Sequence, residues 1–192
     1  MTTLKIIVAS TRPGRVGLPI GQWTHGQAVA HGGFTKVELL DLAEVNLPFM
    51  NEPNHPRAQQ YVHQHTRDWS ATIAEADALV FVMPEYNHGY NAELKNAIDY
   101  LFNEWSHKAV GLVSYGAVAG GTRAVQQIKQ VVTAVKMTPI VESVVAPFGF
   151  NLIDAEGKVA ADEAMTGAAK AMFDEIVRVD AALRPLREGA AA

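Results

Sequence analysis

Short stretches of almost continuous apolar, largely β-branched residues constrain the fold of this 192-residue chain more than any other feature. The predicted strands Leu4–Ala9, Ala78–Met83 and Ala109–Val113 contain them. This composition is typical of strands that are buried on both faces, and such strands belong to parallel sheets. Val37–Leu42 and a weaker candidate within Ile140–Ala146 bring the predicted number of strands to five.

Between the strands, apolar residues recur every three or four positions, which predicts amphipathic helices. We predict helices from Gly17 to about Ala30, over Ala92–Trp105 and around Val125–Val135. A last stripe runs from Met165 to Leu183, and Pro185 is expected to end that helix. Alternating strands and helices with right-handed crossovers give an α/β fold, a doubly wound five-stranded parallel sheet with helices on both faces.

The composition fits one globular domain, expected over residues 1–185, with 186–192 as a disordered tail. A net charge of −4 gives no electrostatic footprint for nucleic acid, and no apolar run approaches the ~20 residues of a membrane span. The chain has no cysteine, hence no disulfide and no thiolate metal site, and we expect a cytoplasmic protein. His63 and His65 are two positions apart and should point to different sides of a helix, so no metal site is predicted.

Five strands in a doubly wound sheet commonly adopt the order 2-1-3-4-5, and ligands bind at the carboxyl ends of strands 1 and 3. Three loops should meet there: the first loop (Ser10–Gly17), the second loop (Pro84–Asn91) and the third loop (Ser114–Gly121). These loops also have the least ordinary sequences in the chain. We therefore expect the binding site at this edge of the sheet.

The first loop brings hydroxyls, two guanidinium groups and the start of a helix to one place. A helix N-terminus attracts anions, and arginine adds forked donors that match a phosphate. The loop contains neither a dinucleotide fingerprint nor a Walker A motif, so a monophosphate is the better fit. The alternative is a solvated turn with two surface arginines. The candidate residues here are Ser10, Arg12, Arg15, Val16 and Gly17.

The second and third loops offer aromatic faces, backbone amides and glycines, which suit a flat ring with polar edges. Asn91 is expected to cap the helix that begins at Ala92. Together with the first loop, they predict a mononucleotide that carries a flat ring. The candidate residues are Pro84, Glu85, Tyr86, Asn87, Ser114, Tyr115, Gly116, Gly120 and Gly121.

The stretches P-E-Y-N (84–87) and L-K-N-A-I-D (94–99) resemble a signature of the flavodoxin-like NADPH-dependent FMN reductase family, which includes azo, quinone and chromate reductases. Ser10 and Arg12 match that family's phosphate loop, and Ser114 with 120–121 matches its S-x-G…G-G element. The resemblance implies that the first-loop candidates surround the FMN phosphate, while residues 84–87 and Ser114 line the isoalloxazine. Three departures are Ala9, Arg15 and Asn91, where the family usually has Gly, Ser and Pro.

The resemblance implies that hydride passes from NADPH or NADH to FMN, and then to a flavin, quinone or azo acceptor. Because the flavin does the chemistry, we expect no catalytic side chain, and Glu85 should contribute mainly its backbone. His88 is a candidate on the substrate side, and the alternative is a solvent-facing loop histidine. A homodimer or homotetramer is implied, and Tyr100 and Phe102 appear as surplus apolar surface. A flavodoxin-type electron carrier and a non-catalytic flavin sensor are the competing functions.

Overall fold

The computed structural model describes residues 2–189 and contains one five-stranded parallel sheet with the strand order 2-1-3-4-5. The predicted fold class and strand order are confirmed. Since the central strands are covered on both faces, every residue of the third strand is buried. The strands are β1 (Thr3–Val8), β2 (Lys36–Asp41), β3 (Ala78–Pro84), β4 (Ala109–Gly116) and β5 (Thr138–Pro147).

Helices cover both faces of the sheet, and a separate hydrophobic cluster lies on each face. One cluster includes Trp69, Leu94 and Ile128, and the other includes Ile20 and Phe173. No helix within residues 2–189 is both long and apolar enough to cross a bilayer. The helices are α1 (Gly17–His31), α2 (Leu42–Val45), α3 (Gln64–Ala74), α4 (Ala92–Asp99), α5 (Thr122–Ala134) and α6 (Glu163–Gly189), with 3₁₀ turns at Pro56–Ala58, Asn103–Trp105 and Gly149–Leu152.

The helix predicted over Ala92–Trp105 is shorter than expected, because α4 ends at Asp99. Trp105 lies in a separate 3₁₀ turn and is fully buried. Its indole Nε1 donates to the carbonyl of Ile98 at 3.0 Å, which satisfies a carbonyl at the end of α4. Burial of the Trp105 ring therefore ends α4 at a point where the apolar periodicity alone predicts that the helix continues.

Tyr100 and Phe102 do not form the surplus apolar surface that the sequence predicted. Tyr100 is fully buried, and its hydroxyl donates to the carbonyl of Pro48 at 3.1 Å. The Phe102 ring is partly covered by the guanidinium of Arg57, 4.1 Å from its centroid. Both rings therefore secure the long segment between β2 and α3 to the core.

The prediction that Pro185 ends the last helix is wrong, because α6 continues to Gly189. Arg187 holds this final turn: its Nη1 donates to the carbonyl of His107 at 2.7 Å, and its Nη2 pairs with the buried carboxylate of Asp180. These contacts compensate for the hydrogen bond that a proline removes. Of the predicted tail, residues 186–189 are helical, and 190–192 lie outside the described residues.

His63 and His65 do not point apart as the sequence predicted. His63 precedes α3 in an extended conformation, so its ring stacks on that of His65 with centroids 5.1 Å apart. Both rings contact Asn51, the first at the carbonyl and the second at the side-chain oxygen. Across residues 2–189 no group of three His, Asp or Glu side chains is arranged to hold a metal ion.

Candidate functional site

The three loops meet at the carboxyl edge of the sheet, as their positions after β1, β3 and β4 predict. The hydroxyls of Ser10 and Tyr86 lie 3.0 Å apart and join the first loop to the second. The backbone amide of Glu85 donates to the carbonyl of Tyr115 at 2.9 Å and joins the second loop to β4. Candidate residues from distant parts of the chain therefore form one continuous surface.

Asn91 occupies the N-cap position of α4, but its side chain does not cap the helix as expected. Its Nδ2 donates instead to the carbonyl of Ala9 and to the carboxylate of Glu93, both at 2.8 Å. The hydroxyl of Thr11 donates to the same carboxylate at 3.0 Å. Burial opposes ionisation of Glu93, but these bonds and its own backbone amide hold the pKa of Glu93 below its ordinary value. The first and second loops are thus fastened through Glu93.

The first loop leads into α1, and the N-terminus of this helix has no side-chain cap. Val16 is the N-cap residue of α1, and within residues 2–189 no side chain accepts a hydrogen bond from the first turn. The amide of Arg15 donates to the carbonyl of Arg12 at 3.1 Å, which closes the preceding turn. Arg12 is exposed and makes no ion pair within residues 2–189. This end of α1 therefore presents unpaired amides beside an available guanidinium.

Arg15 differs from Arg12 because its charge is already paired. Its guanidinium binds the carboxylate of Asp41, at the carboxyl end of β2, and the two side chains are only 17% and 6% exposed. Asp41 also accepts from the amide of Ala43 at 3.0 Å and so caps α2. Sequence analysis did not single out Asp41, although a carboxylate that ends a strand at the binding edge was a usable signal.

The tip of the second loop is a tight two-residue turn. The backbones of Tyr86 and Gly89 exchange two hydrogen bonds, at 2.8 and 2.9 Å. Between them, Asn87 and His88 both have positive φ, 49° and 72°, the geometry of a type I′ turn. A left-handed backbone conformation is energetically unfavourable for a residue such as histidine. Strained residues of this kind often lie at functional sites. Pro84, by contrast, is the buried last residue of β3.

Glu85 contributes more than its backbone, because its carboxylate is bound by Arg123 at the start of α5. The Arg123 amide and Nε donate to it at 3.1 and 2.6 Å. Burial opposes ionisation, but Arg123 holds the pKa of Glu85 below its ordinary value. Nη1 of Arg123 lies 2.8 Å from Nε2 of His88, and since a guanidinium only donates, this nitrogen accepts. Glu85 is therefore ionised near neutrality and fixes Arg123, which fixes exposed His88.

The third loop begins later than predicted, because Ser114, Tyr115 and Gly116 are the last residues of β4. The Ser114 hydroxyl donates to the carbonyl of Gly120 at 2.9 Å and closes the loop on itself. Gly121 has φ 92°, and a Cβ built there would lie 2.6 Å from Cβ of Ser114. Glycine is required here by both conformation and space. Tyr115 is buried behind the loop instead of offering a face to it.

A cavity of about 440 Å³ lies next to the first loop, between α2 and α4. Thr11 and Glu93 form one wall, and the exposed ring of Phe49 stands at another. Neither Tyr86 nor the third loop lines it. The candidate site is therefore defined by the edge where the three loops meet, with this cavity at its side.

Comparison with known proteins decides the family. Residues 2–151 match the sequence model described as NADPH-dependent FMN reductase. The chain belongs to this family. The prediction of an oxidoreductase that uses NAD(P)H and FMN is thereby confirmed over the electron-carrier and sensor alternatives.

Individual relatives agree with this assignment. The chain is 37% identical over 154 residues to an NAD(P)H-dependent FMN reductase of a Nectria species, covering 77% of this chain and 76% of the relative. A shorter match, 42% over 62 residues, joins it to an NAD(P)H:quinone oxidoreductase of Solanum tuberosum, covering 31% and 32% of the two chains. The solved structure of the flavoenzyme NAD(P)H:(acceptor) oxidoreductase FerB from Paracoccus denitrificans shares the fold, with a TM-score of 0.73 and 21% identity over 94% and 97% of the chains.

Proposed function

We propose that the protein holds FMN where the three loops meet, with the phosphate at the start of α1 and the ring beside the second and third loops. It would pass reducing equivalents from NADPH or NADH to a small acceptor such as a flavin, a quinone or an azo compound. The names of the fungal and plant relatives support a flavin and a quinone among these acceptors. When bound, FMN would supply hydride acceptance from the nicotinamide and reduction of the acceptor.

The observation that carries the proposal is the uncapped start of α1 beneath Arg12. The first-turn amides, those of Gly17 and Leu18 because Pro19 has no N–H, carry the positive end of the helix dipole, and no acidic residue lies in that turn. Arg12 is exposed beside them with no ion-pair partner in residues 2–189. A dianionic phosphate would satisfy both groups at once. The residues present therefore fit the phosphate end of FMN.

The candidate residues of the second and third loops would position the FMN ring, because both loops have a rigid backbone. The two-residue turn at Asn87 and His88 holds the second loop, and the Ser114–Gly120 bond holds the third. Glu85 would not donate a proton to the reaction, because its carboxylate is ionised and committed to Arg123. His88 would face a donor or acceptor from the exposed tip of the turn. The protein would thus orient the cofactor and leave one side of the ring open.

The test compares flavin binding with turnover. Purified protein is titrated with FMN and riboflavin by fluorescence quenching, and NADPH and NADH oxidation is followed with a quinone, an azo dye and free FMN as acceptors. We expect FMN to bind at micromolar concentration or better and at least one acceptor to support turnover. Absence of FMN binding together with absence of NAD(P)H oxidation would contradict the proposal.

Arg12→Ala provides the site-specific control. Loss of a charge-assisted bond to phosphate predicts an FMN affinity about 10- to 100-fold weaker. Arg178→Ala removes the same charge from an exposed position on α6, where Arg178 pairs with Glu175. This variant should bind FMN like the wild type. An equal effect of both variants would indicate a general charge effect and not a phosphate site.

We propose in addition that the protein assembles as a homodimer or homotetramer and works in the cytoplasm. Phe148 and Phe150 stand exposed beside the third loop, where the Phe148 amide donates to the carbonyl of Ala117 at 3.1 Å. A second subunit would cover these rings. Sedimentation of only a 20.8 kDa species would contradict the assembly, and cell fractionation would test the location.

A further inference from the structure

The phenol of Tyr115 points away from the open surface of the third loop and ends at the start of α1. Only 6% of Tyr115 is exposed. A Cβ built at Gly17, the first residue of α1, would lie 2.4 Å from the Tyr115 hydroxyl oxygen and 3.4 Å from Cβ of Ser10. The hydroxyl therefore sits against the first-turn backbone of the helix, in space that only a glycine leaves open. The sequence had assigned Tyr115 to the ring as an aromatic face.

Within residues 2–189 no group makes a hydrogen bond of good geometry with this hydroxyl, and the Ser10 hydroxyl beside it bonds to Tyr86 instead. A buried hydroxyl without a partner is costly, so such a group calls for an explanation. Burial raises the pKa of Tyr115 well above its ordinary value, although the adjacent Ser10 hydroxyl and, more weakly, the charges of Arg15 and Arg12 act in the opposite direction. The phenol therefore stays protonated at physiological pH and has a hydrogen to donate.

We propose that Tyr115 is a phosphate-binding residue, whose hydroxyl donates to the anionic end of a ligand held at the first turn of α1. The inference rests on the proposed function and assigns this side chain to the phosphate instead of the ring. An unpaired donor, the positive end of a helix and the exposed Arg12 all lie around the same point. Gly17 allows the hydroxyl to approach because a side chain there would displace it.

The test is Tyr115→Phe, which removes one oxygen and keeps the ring. FMN and riboflavin affinities are measured in parallel, since the two ligands differ only in the phosphate. We expect FMN to bind about 10- to 100-fold more weakly and riboflavin to bind as in the wild type. The matched control is Tyr61→Phe, whose hydroxyl donates to the carboxylate of Glu104 at 2.8 Å, away from the three loops, and FMN affinity should not change.

Each other outcome overturns the inference in a recognisable way. Equal weakening of FMN and riboflavin would mean that Tyr115 contacts the ring, and unchanged affinity for both would mean that it contacts neither. Failure of the wild type to bind FMN would instead overturn the proposed function on which the inference rests.

Two further measurements separate binding from folding. Because the hydroxyl has no partner, Tyr115→Phe should leave the urea midpoint of the ligand-free protein unchanged or raised. A lowered midpoint with unchanged FMN affinity would show a purely structural role.

Gly17→Ala keeps the hydroxyl but crowds it, and FMN affinity should fall more than riboflavin affinity. Gly26→Ala, on an open surface of the same helix, should change neither.

Discussion

The guanidinium of Arg15 is paired with the carboxylate of Asp41, which ties the first loop to the end of β2 across 26 positions of sequence. Both groups are largely buried, although Nε of Arg15 has no hydrogen-bond partner within residues 2–189. Arg12, three residues earlier, is exposed and makes no ion pair within residues 2–189. The two arginines of one loop therefore have different tasks.

This difference predicts opposite dominant effects of two alanine substitutions. Arg12→Ala should weaken FMN binding while leaving the free energy of unfolding within about 0.5 kcal/mol of wild type. Arg15→Ala should lower the free energy of unfolding by about 1–3 kcal/mol, because it leaves the Asp41 carboxylate buried without its partner. Urea unfolding of both ligand-free variants measures this. If Arg12→Ala proved the more destabilising of the two, Arg15 and Arg12 would have been assigned the wrong way round.

Gly121 supplies a prediction about the third loop. Alanine there would combine the cost of φ 92° with a Cβ only 2.6 Å from Cβ of Ser114 and 2.9 Å from the amide of Tyr115. We expect Gly121→Ala to destabilise the protein by about 2–4 kcal/mol and to abolish flavin binding. Gly14→Ala is the matched control, since Gly14 has φ 68° but nothing within 4 Å of a built Cβ. That variant should lose only about 1–2 kcal/mol. Similar losses in both variants would mean that crowding contributes nothing at Gly121.

The sheet could be predicted from sequence because its central strands are buried on both faces, and their composition records this directly. The location of the site followed, because loops after neighbouring parallel strands must meet at one edge. Side-chain partners did not follow, since the carboxylate that binds Arg15 is fixed only when β2 and the first loop are folded together. The end of α4 was mispredicted for a similar reason: burial of Trp105 overrides the local periodicity.

The ion pair between Glu85 and Arg123 predicts a response to acid. Because the folded-state pKa of Glu85 is lowered, mainly by Arg123 against the cost of burial, its stabilising contribution is present above the unfolded value of 4.5 and is lost as pH falls through the lower folded value. Glu85→Gln should therefore lower the free energy of unfolding at pH 7. We expect a loss of only about 1 kcal/mol, because Arg123 is 43% exposed and solvent screens the ion pair. The deficit should shrink in acid.

Urea unfolding at pH 7 and near pH 4 measures this convergence. Glu175→Gln is the comparison variant, because its partner Arg178 is 78% exposed and the pair lies on α6, away from the second loop. A Glu85→Gln deficit that is constant across the range would show that the ionised carboxylate is not what stabilises the second loop.

Lys108 predicts a pH dependence of the same sign, but on the alkaline side. It is 4% exposed, and its Nζ donates to the carbonyl of Ile73 at 2.6 Å, at the end of α3. Burial, reinforced by the charge of Arg187, lowers the pKa of Lys108 from 10.5 to about 7. Between these values the unfolded chain binds more protons than the folded one, so Lys108 makes the free energy of unfolding rise with pH, by at most about 1.4 kcal/mol per unit.

The difference between wild type and Lys108→Met from pH 7 to 9 isolates this effect, because the other groups that titrate in this window are common to both proteins. Wild type should gain about 1–2 kcal/mol more than Lys108→Met over this interval, whatever the absolute stability of the variant. Lys95→Met, at a position that is 43% exposed, should keep the wild-type slope. Parallel slopes in wild type and Lys108→Met would mean that the buried amine keeps its ordinary affinity for protons. The carbonyl of Ile73 accepts from the amine whether or not it is charged, so the contact survives while the cost of burying the charge disappears.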